Sequence, residues 1–159
     1  MELTLLQARP ISQTVLFLCT GNYYRSRFAE ELFNHKAAAS GTPWQAQSRA
    51  LAIERGAHNV GPLSPFAVHG LKARGCSVRE GGRVPLQCTA ADLETAHRII
   101  ALNEPEHRPL VRTRFPEWES RVQFWQVEDV EYVRPEVALA AIEKQIDALL
   151  GALRDLAPA

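Results

Sequence analysis

The chain has 159 residues, 46% hydrophobic and 23% charged, with 18 basic and 18 acidic side chains and a formal net charge of zero. That is the length of one domain with one core, and the apolar content excludes a disordered chain. The charge balance leaves no broad basic field to recruit nucleic acid or an acidic membrane, so any attraction for an anionic ligand must be local.

In chain order, Met1-Glu2-Leu3-Thr4-Leu5-Leu6 is short, carries an acid and is followed by Arg9-Pro10, so it lacks the form of an export signal. No apolar stretch approaches membrane-spanning length. Residues 14–18 read as a buried strand that ends at Cys19. A polar turn containing Gly21 follows. Phe28, Ala29, Leu32, Phe33 and Lys36 then recur at helical spacing, which predicts a helix over 25–38 with Ser26 capping its first turn. Ala39-Ser40-Gly41-Thr42-Pro43 is a turn, and Trp44 to Leu51 a second strand. Gly56, Gly61 and Pro62 mark a loop. Ser64-Pro65 starts a helix that Gly75 ends, and Gly81-Gly82 marks another loop. Thr89 caps a short helix through Leu93. Arg98 to Leu102 is a third strand, and Glu104-Pro105 opens a helix toward Val111. Val122 to Val127 is a fourth strand. Arg134-Pro135 begins a long helix with Val137, Leu139, Ile142, Ile146, Leu149, Leu150 and Leu153 along one face, before a loose tail at 156–159. Strands separated by helices predict a parallel sheet with right-handed crossovers. The expected fold is an α/β three-layer sandwich around four parallel strands, with residues 1–159 forming a single domain.

Cys19 and Arg25 carry the chemical signal. They close a loop, Cys19-Thr20-Gly21-Asn22-Tyr23-Tyr24-Arg25-Ser26, between a strand and a helix. This spacing wraps a tetrahedral oxyanion, with the thiol beneath the phosphorus, the guanidinium beside it, and backbone N–H groups and the helix's positive end turned toward it. The same field favours a thiolate nucleophile. In a parallel sheet the loops after all strand C-termini open on one edge. Glu128-Asp129-Val130-Glu131-Tyr132, after the fourth strand, therefore belongs near Cys19. Asp129 is the candidate acid for the leaving oxygen. Arg27 is expected beside Arg25 as a second local positive charge.

The loop resembles the phosphate loop of the low-molecular-weight protein tyrosine phosphatases, which typically read Cys-x-Gly-Asn-x-Cys-Arg-Ser-Pro. Element order and length match over most of the chain, but the motifs are specific only in residues 15–31 and, more weakly, 122–132. The resemblance implies hydrolysis of phosphotyrosine-type aryl phosphates through a phosphocysteine intermediate, without metal or other cofactor, and inhibition by inorganic phosphate or another oxyanion. It implies that Thr20, Gly21, Asn22, Tyr23, Tyr24, Ser26 and Tyr132 bind substrate around Cys19, Arg25 and Asp129. Ser26 would donate to the thiolate, Asn22 would pin the loop from a left-handed backbone, and Tyr23 and Tyr132 would wall the aryl ring.

Several positions depart from the family pattern. Val130 stands where a Pro usually follows the acid, and Arg27 where a Pro follows Ser26. Tyr24 occupies the place of a second, redox-protecting Cys. The loop after the second strand, Ala52 to His58, brings no aromatic wall.

Two rivals remain at this stage. Arsenate reductases related to this family relay electrons through two later cysteines, for which Cys76 and Cys88 would be candidates, although both precede the third strand. The other rival is a non-catalytic phosphate-binding or phosphoprotein-binding protein. Three cysteines, odd in number and without zinc-type spacing, argue against a disulfide framework and suit a reducing cytoplasm. His35, His58, His69, His97 and His107 show no metal-ligand spacing and read as surface or satisfied side chains.

Overall fold

A computed structural model describes residues 12–79 and 82–156. The N-terminal segment considered above as a targeting signal, and tail residues 157–159, lie outside the described residues. Strand β1 runs from Gln13 to Cys19 and is central. It pairs in parallel with β2 (Trp44–Ala50) on one side and β3 (Arg98–Ala101) on the other, and β4 (Val122–Phe124) joins β3, giving the order β2-β1-β3-β4. Cys19 lies opposite Ala50 and Leu18 opposite Ala101, so β1 delivers Cys19 to the C-terminal edge of the sheet.

Because successive side chains of a strand point to opposite faces, β1 feeds two cores. Val15, Phe17 and Cys19 face a core shared with helices α1 (Arg25–Ser40), α2 (Pro65–Ala73) and α5 (Pro135–Asp155). Leu16 and Leu18 face a second core with α3 (Ala90–Thr95) and α4 (Glu104–Arg114). The expected α/β/α layering is present.

The local signals act as their chemistry dictates. Ser64 caps α2 by accepting the Phe66 N–H (3.2 Å), with Pro65 in the first turn. Thr89 and Asp92 form a reciprocal capping box on α3. Gly41, at φ 71°, ends α1 and turns its N–H back to the carbonyls of Ala37 and Ala38. Ile142, Ile146, Leu149 and Leu153 form the buried stripe of α5. Gly70 lets α2 and α5 approach closely, since a Cβ there would lie 2.4 Å from Leu139 Cδ1.

Several boundaries differ from the sequence expectation, β3 for one ending at Ala101 rather than Leu102. β2 stops at Ala50, one residue early. β4 is three residues long rather than six. The reason lies in its neighbour: β3 ends at Ala101 and Asn103 already caps α4, so residues 125–127 have no strand to pair with. They remain tied by single bonds, Trp125 N–H to Ala101 O (2.8 Å) and Val127 N–H to Leu102 O (2.8 Å). Among the described residues, no helix is long and apolar enough to cross a membrane.

Candidate active site

The turn from β1 into α1 is held by its outward carbonyls. Cys19 O accepts Leu51 N–H (2.8 Å), Thr20 O accepts Ala52 N–H (2.9 Å) and Tyr23 O accepts Ser64 N–H (2.9 Å). The backbone N–H groups of Gly21 to Arg25 meet no acceptor among the described residues. A buried donor without an acceptor is costly, and a run of them at a helix start is an anion site.

Asn22 fixes the shape of this turn. It is fully buried and sits at φ 53°, the left-handed conformation that asparagine tolerates better than most residues. Its Nδ2 donates to Ser26 Oγ (2.9 Å) and Ser48 Oγ (2.9 Å), and its Oδ1 accepts from Leu86 N–H (3.1 Å) and Arg83 Nη1 (3.2 Å). Ser26 does not cap α1, as the sequence suggested. Tyr24 is the N-cap residue and makes no side-chain cap bond, while Ser26 Oγ lies 2.9 Å from Cys19 Sγ. Since Ser26 already accepts from Asn22, its own proton is available to the sulfur.

Arg25 is buried, with its guanidinium plane fastened at one end. Nη1 donates to Glu106 Oε1 (3.0 Å) and to Val127 O (2.9 Å), and Nη2 donates to Glu106 Oε2 (2.6 Å). Burial opposes the Arg25 charge, but Glu106 and the neighbouring anionic groups hold it firmly protonated. Burial likewise opposes the Glu106 charge, yet the neighbouring His107 and the paired Arg25 outweigh it and keep this carboxyl well below the usual carboxylate range. Asp129 Oδ2 stands 3.6 Å from Arg25 Nη2, and its Oδ1 accepts the Val130 N–H (2.8 Å). The Asp129 carbonyl accepts from Tyr132 N–H (3.0 Å) and Val133 N–H (3.1 Å), which closes the acid loop without a proline.

These groups share a cavity of about 420 Å³, lined by Cys19, Thr20, Gly21, Tyr23, Tyr24 and Arg25 from the turn, and by Asp129 and Glu106 across from it. Ser26 and Asn22 lie beneath the turn. Tyr132 is 74% exposed and does not line this cavity; it borders a neighbouring shallow depression together with Thr20, Arg55 and Asp129. Arg27 corrects another expectation. It adds no charge at the rim but is fully buried, donating to Pro62 O (3.1 Å) and Arg83 O (2.8 Å). Its place in the first turn of α1 faces the loops behind the site, where buried carbonyls accept from it. The Tyr24 ring meets Phe66 edge-on (6.3 Å, 66°), and burial pushes its phenol up to about 12.

Sequence reasoning missed Phe66, Glu106, Arg55 and Arg83. Phe66 lines the cavity and is 50% exposed, so an aromatic wall comes from the first turn of α2 instead of the loop after β2. Arg55 and His58 also line the cavity. Glu106 carried one legible signal: it sits three residues after the Asn103 cap of the helix that follows β3, on the same sheet edge as Cys19.

Cys76 and Cys88 lie in separate cores on opposite faces of the sheet. Each thiol points to a backbone carbonyl, Cys76 to Glu31 O (3.6 Å) and Cys88 to Thr89 O (3.6 Å). The sheet separates them, so they are not placed as a dithiol relay. No cluster of three or more metal-ligating side chains occurs among the described residues.

A family model described as low molecular weight phosphotyrosine protein phosphatase matches residues 14–155. Solved structures agree. A low molecular weight protein tyrosine phosphatase from T. tengcongensis is 28% identical, with TM-score 0.73 over 89% of this chain and 99% of that one. YfkJ from Bacillus subtilis is 25% identical, with TM-score 0.79 over 93% and 98%. Wzb from Vibrio vulnificus, solved in complex with benzylphosphonate, is 18% identical, with TM-score 0.72 over 87% and 97%, and shows the shared fold alone. No curated protein sequence matches significantly.

Proposed function

Given that the chain belongs to the low-molecular-weight phosphotyrosine protein phosphatase family and is a cysteine-dependent phosphatase, we propose that Cys19, Arg25 and Asp129 carry its reaction on phosphotyrosine-like aryl phosphates. The observation that supports these roles most is convergence: a thiol from β1, a guanidinium from α1 and a carboxyl from the loop after β4 line one cavity, with Arg25 Nη2 3.6 Å from Asp129 Oδ2.

The Cys19 thiolate attacks phosphorus while the P–O bond to the leaving group breaks. The unpaired N–H groups of the turn and Arg25 take the charge on the phosphoryl oxygens. Asp129, protonated, gives its proton to the departing oxygen. As a carboxylate it then takes a proton from water as that water attacks the phosphocysteine, releasing inorganic phosphate and returning the thiolate that Ser26 supports. Phe66 and Tyr23 flank the aryl ring. Tyr23 is braced for this by donating its hydroxyl to Val60 O (2.6 Å).

Aryl-phosphate hydrolysis tests the reading. Wild type turns substrate over without metal, and Cys19→Ser loses turnover but still binds phosphate. Asp129→Asn slows poor leaving groups more than good ones. Substantial activity in Cys19→Ser, or equal slowing by Asp129→Asn across leaving groups, overturns the assigned roles.

A further inference from the structure

We propose that Glu106 is a positioning residue that holds the Arg25 guanidinium in the one orientation suited to an oxyanion. The inference rests on the phosphatase reading above and adds a residue to its machinery.

A guanidinium has five N–H donors in a fixed plane. Three of those in Arg25 are committed. The end-on pair, one hydrogen from each Nη, goes to Glu106 Oε1 (3.0 Å) and Oε2 (2.6 Å), and the other Nη1 hydrogen goes to Val127 O (2.9 Å). What remains is Nε–H and the second Nη2–H, two parallel donors along one edge of the plane. That edge matches two oxygens of a phosphoryl group. Without Glu106 the side chain would keep one hydrogen-bonded anchor, at Val127, and the longer ion pair with Asp129, which together fix the plane far less.

Glu106 is itself held. Asn103 Oδ1 accepts its backbone N–H (3.2 Å), which fixes it in the first turn of α4. Thr20 Oγ1 donates to its Oε2 at 2.5 Å, so the same oxygen ties the oxyanion turn to α4. His107 Nε2 stands 3.1 Å from Oε2. The His107 Nδ1 accepts the Asn103 N–H (2.9 Å), so the neutral ring carries its proton on Nε2, which lies beside Glu106 without completing a hydrogen bond to it. A carboxylate ringed by Thr20, His107 and two Arg25 nitrogens is largely neutralised, so its charge beside an anion site is tolerable. In exchange the fork is pre-set, and no ordering of a long side chain is needed when substrate arrives.

The test compares wild type with Glu106→Gln. In the wild type, Arg25 guanidinium rotation is slow and NMR resolves separate Nη1 and Nη2 resonances; in Glu106→Gln they merge. Vanadate affinity falls roughly tenfold in Glu106→Gln, as expected when a two-point contact loses its pre-set geometry. In an Arg25→Lys background, which has no fork to orient, the same substitution changes vanadate affinity by less than about twofold. Thr20→Val, which removes one donor to Oε2 and leaves the charge, weakens vanadate binding by a smaller factor of the same sign and serves if Glu106→Gln fails to fold. Resolved Nη resonances in Glu106→Gln, unchanged or tighter vanadate binding in both variants, or an equal loss in the Arg25→Lys background overturns the proposal. Neither readout needs turnover, so an inactive wild type would sink the phosphatase reading while this comparison still decides the role of Glu106.

Discussion

Ser26 Oγ lies 2.9 Å from Cys19 Sγ, both groups buried, with the serine oxygen already accepting from Asn22. The serine proton is thereby directed at the sulfur. Such a bond is strongest when the sulfur is an anion, the form that the proposed mechanism requires before attack and again as the phosphocysteine breaks.

Ser26→Ala is therefore expected to lower kcat about 10- to 100-fold, the worth of one charge-assisted hydrogen bond. Loss of the bond should slow breakdown of the intermediate as well as attack. Rapid acid quench with a labelled aryl phosphate should trap more phosphocysteine in the variant than in the wild type. Unchanged kcat would reduce Ser26 to a packing role.

Beneath the turn, Arg83 Nη2 donates to Glu30 Oε1 (2.9 Å), which also accepts from Ser48 Oγ at 2.5 Å. Glu30 is buried, and burial holds its carboxyl above the ordinary range. Removing the cation leaves that acid with only Ser48 and the more distant charge of Arg27, so Arg83→Met should cost about 3 kcal/mol in urea unfolding at neutral pH. The sign with pH follows. A folded value above the unfolded one means that the unfolded chain releases this proton first as pH rises. The Glu30 contribution to stability therefore declines upward from its unfolded value, about pH 4.5, toward its folded one. Glu30→Gln should lack that decline. Urea midpoints for wild type and variant between about pH 4 and 7 check it.

The thiols should separate sharply by reactivity. Burial pushes Cys88 up to about 12 and raises Cys76 above its ordinary value, whereas Cys19 lines the cavity. Iodoacetamide at neutral pH should alkylate Cys19 alone, and inorganic phosphate should protect it. Peptide mapping gives the site directly. Rapid labelling of Cys76 or Cys88, or no protection by phosphate, would contradict this assignment.

The phosphate turn was legible because its chemistry is local: Cys19, Asn22, Arg25 and Ser26 fall within one strand-to-helix connection. The element order was legible because apolar periodicity and caps such as Ser64 and Thr89 are also local. What escaped depends on which strands become neighbours. Glu106 meets Arg25 across 81 residues, and Arg83 meets Asn22 across 61. Neither contact exists until β3 packs beside β1 and the 82–88 segment folds behind the turn. Arg27 misled for the opposite reason. Its charge suggests a rim, but helical phase, not charge, decides which way a side chain in the first turn of α1 points. Tyr132 shares the correct loop with Asp129, yet that turn leaves its ring facing solvent.

The acid loop lacks the proline usual after its acid, and Asp129 instead ties the loop with its own atoms, accepting the N–H groups of Val130, Tyr132 and Val133. The proposed proton donor thus also helps knot its own loop. Truncation to alanine would remove the proton and slacken the knot together, confounding chemistry with shape. Asparagine keeps an oxygen for the Val130 amide, so only that exchange separates what Asp129 gives from where it stands.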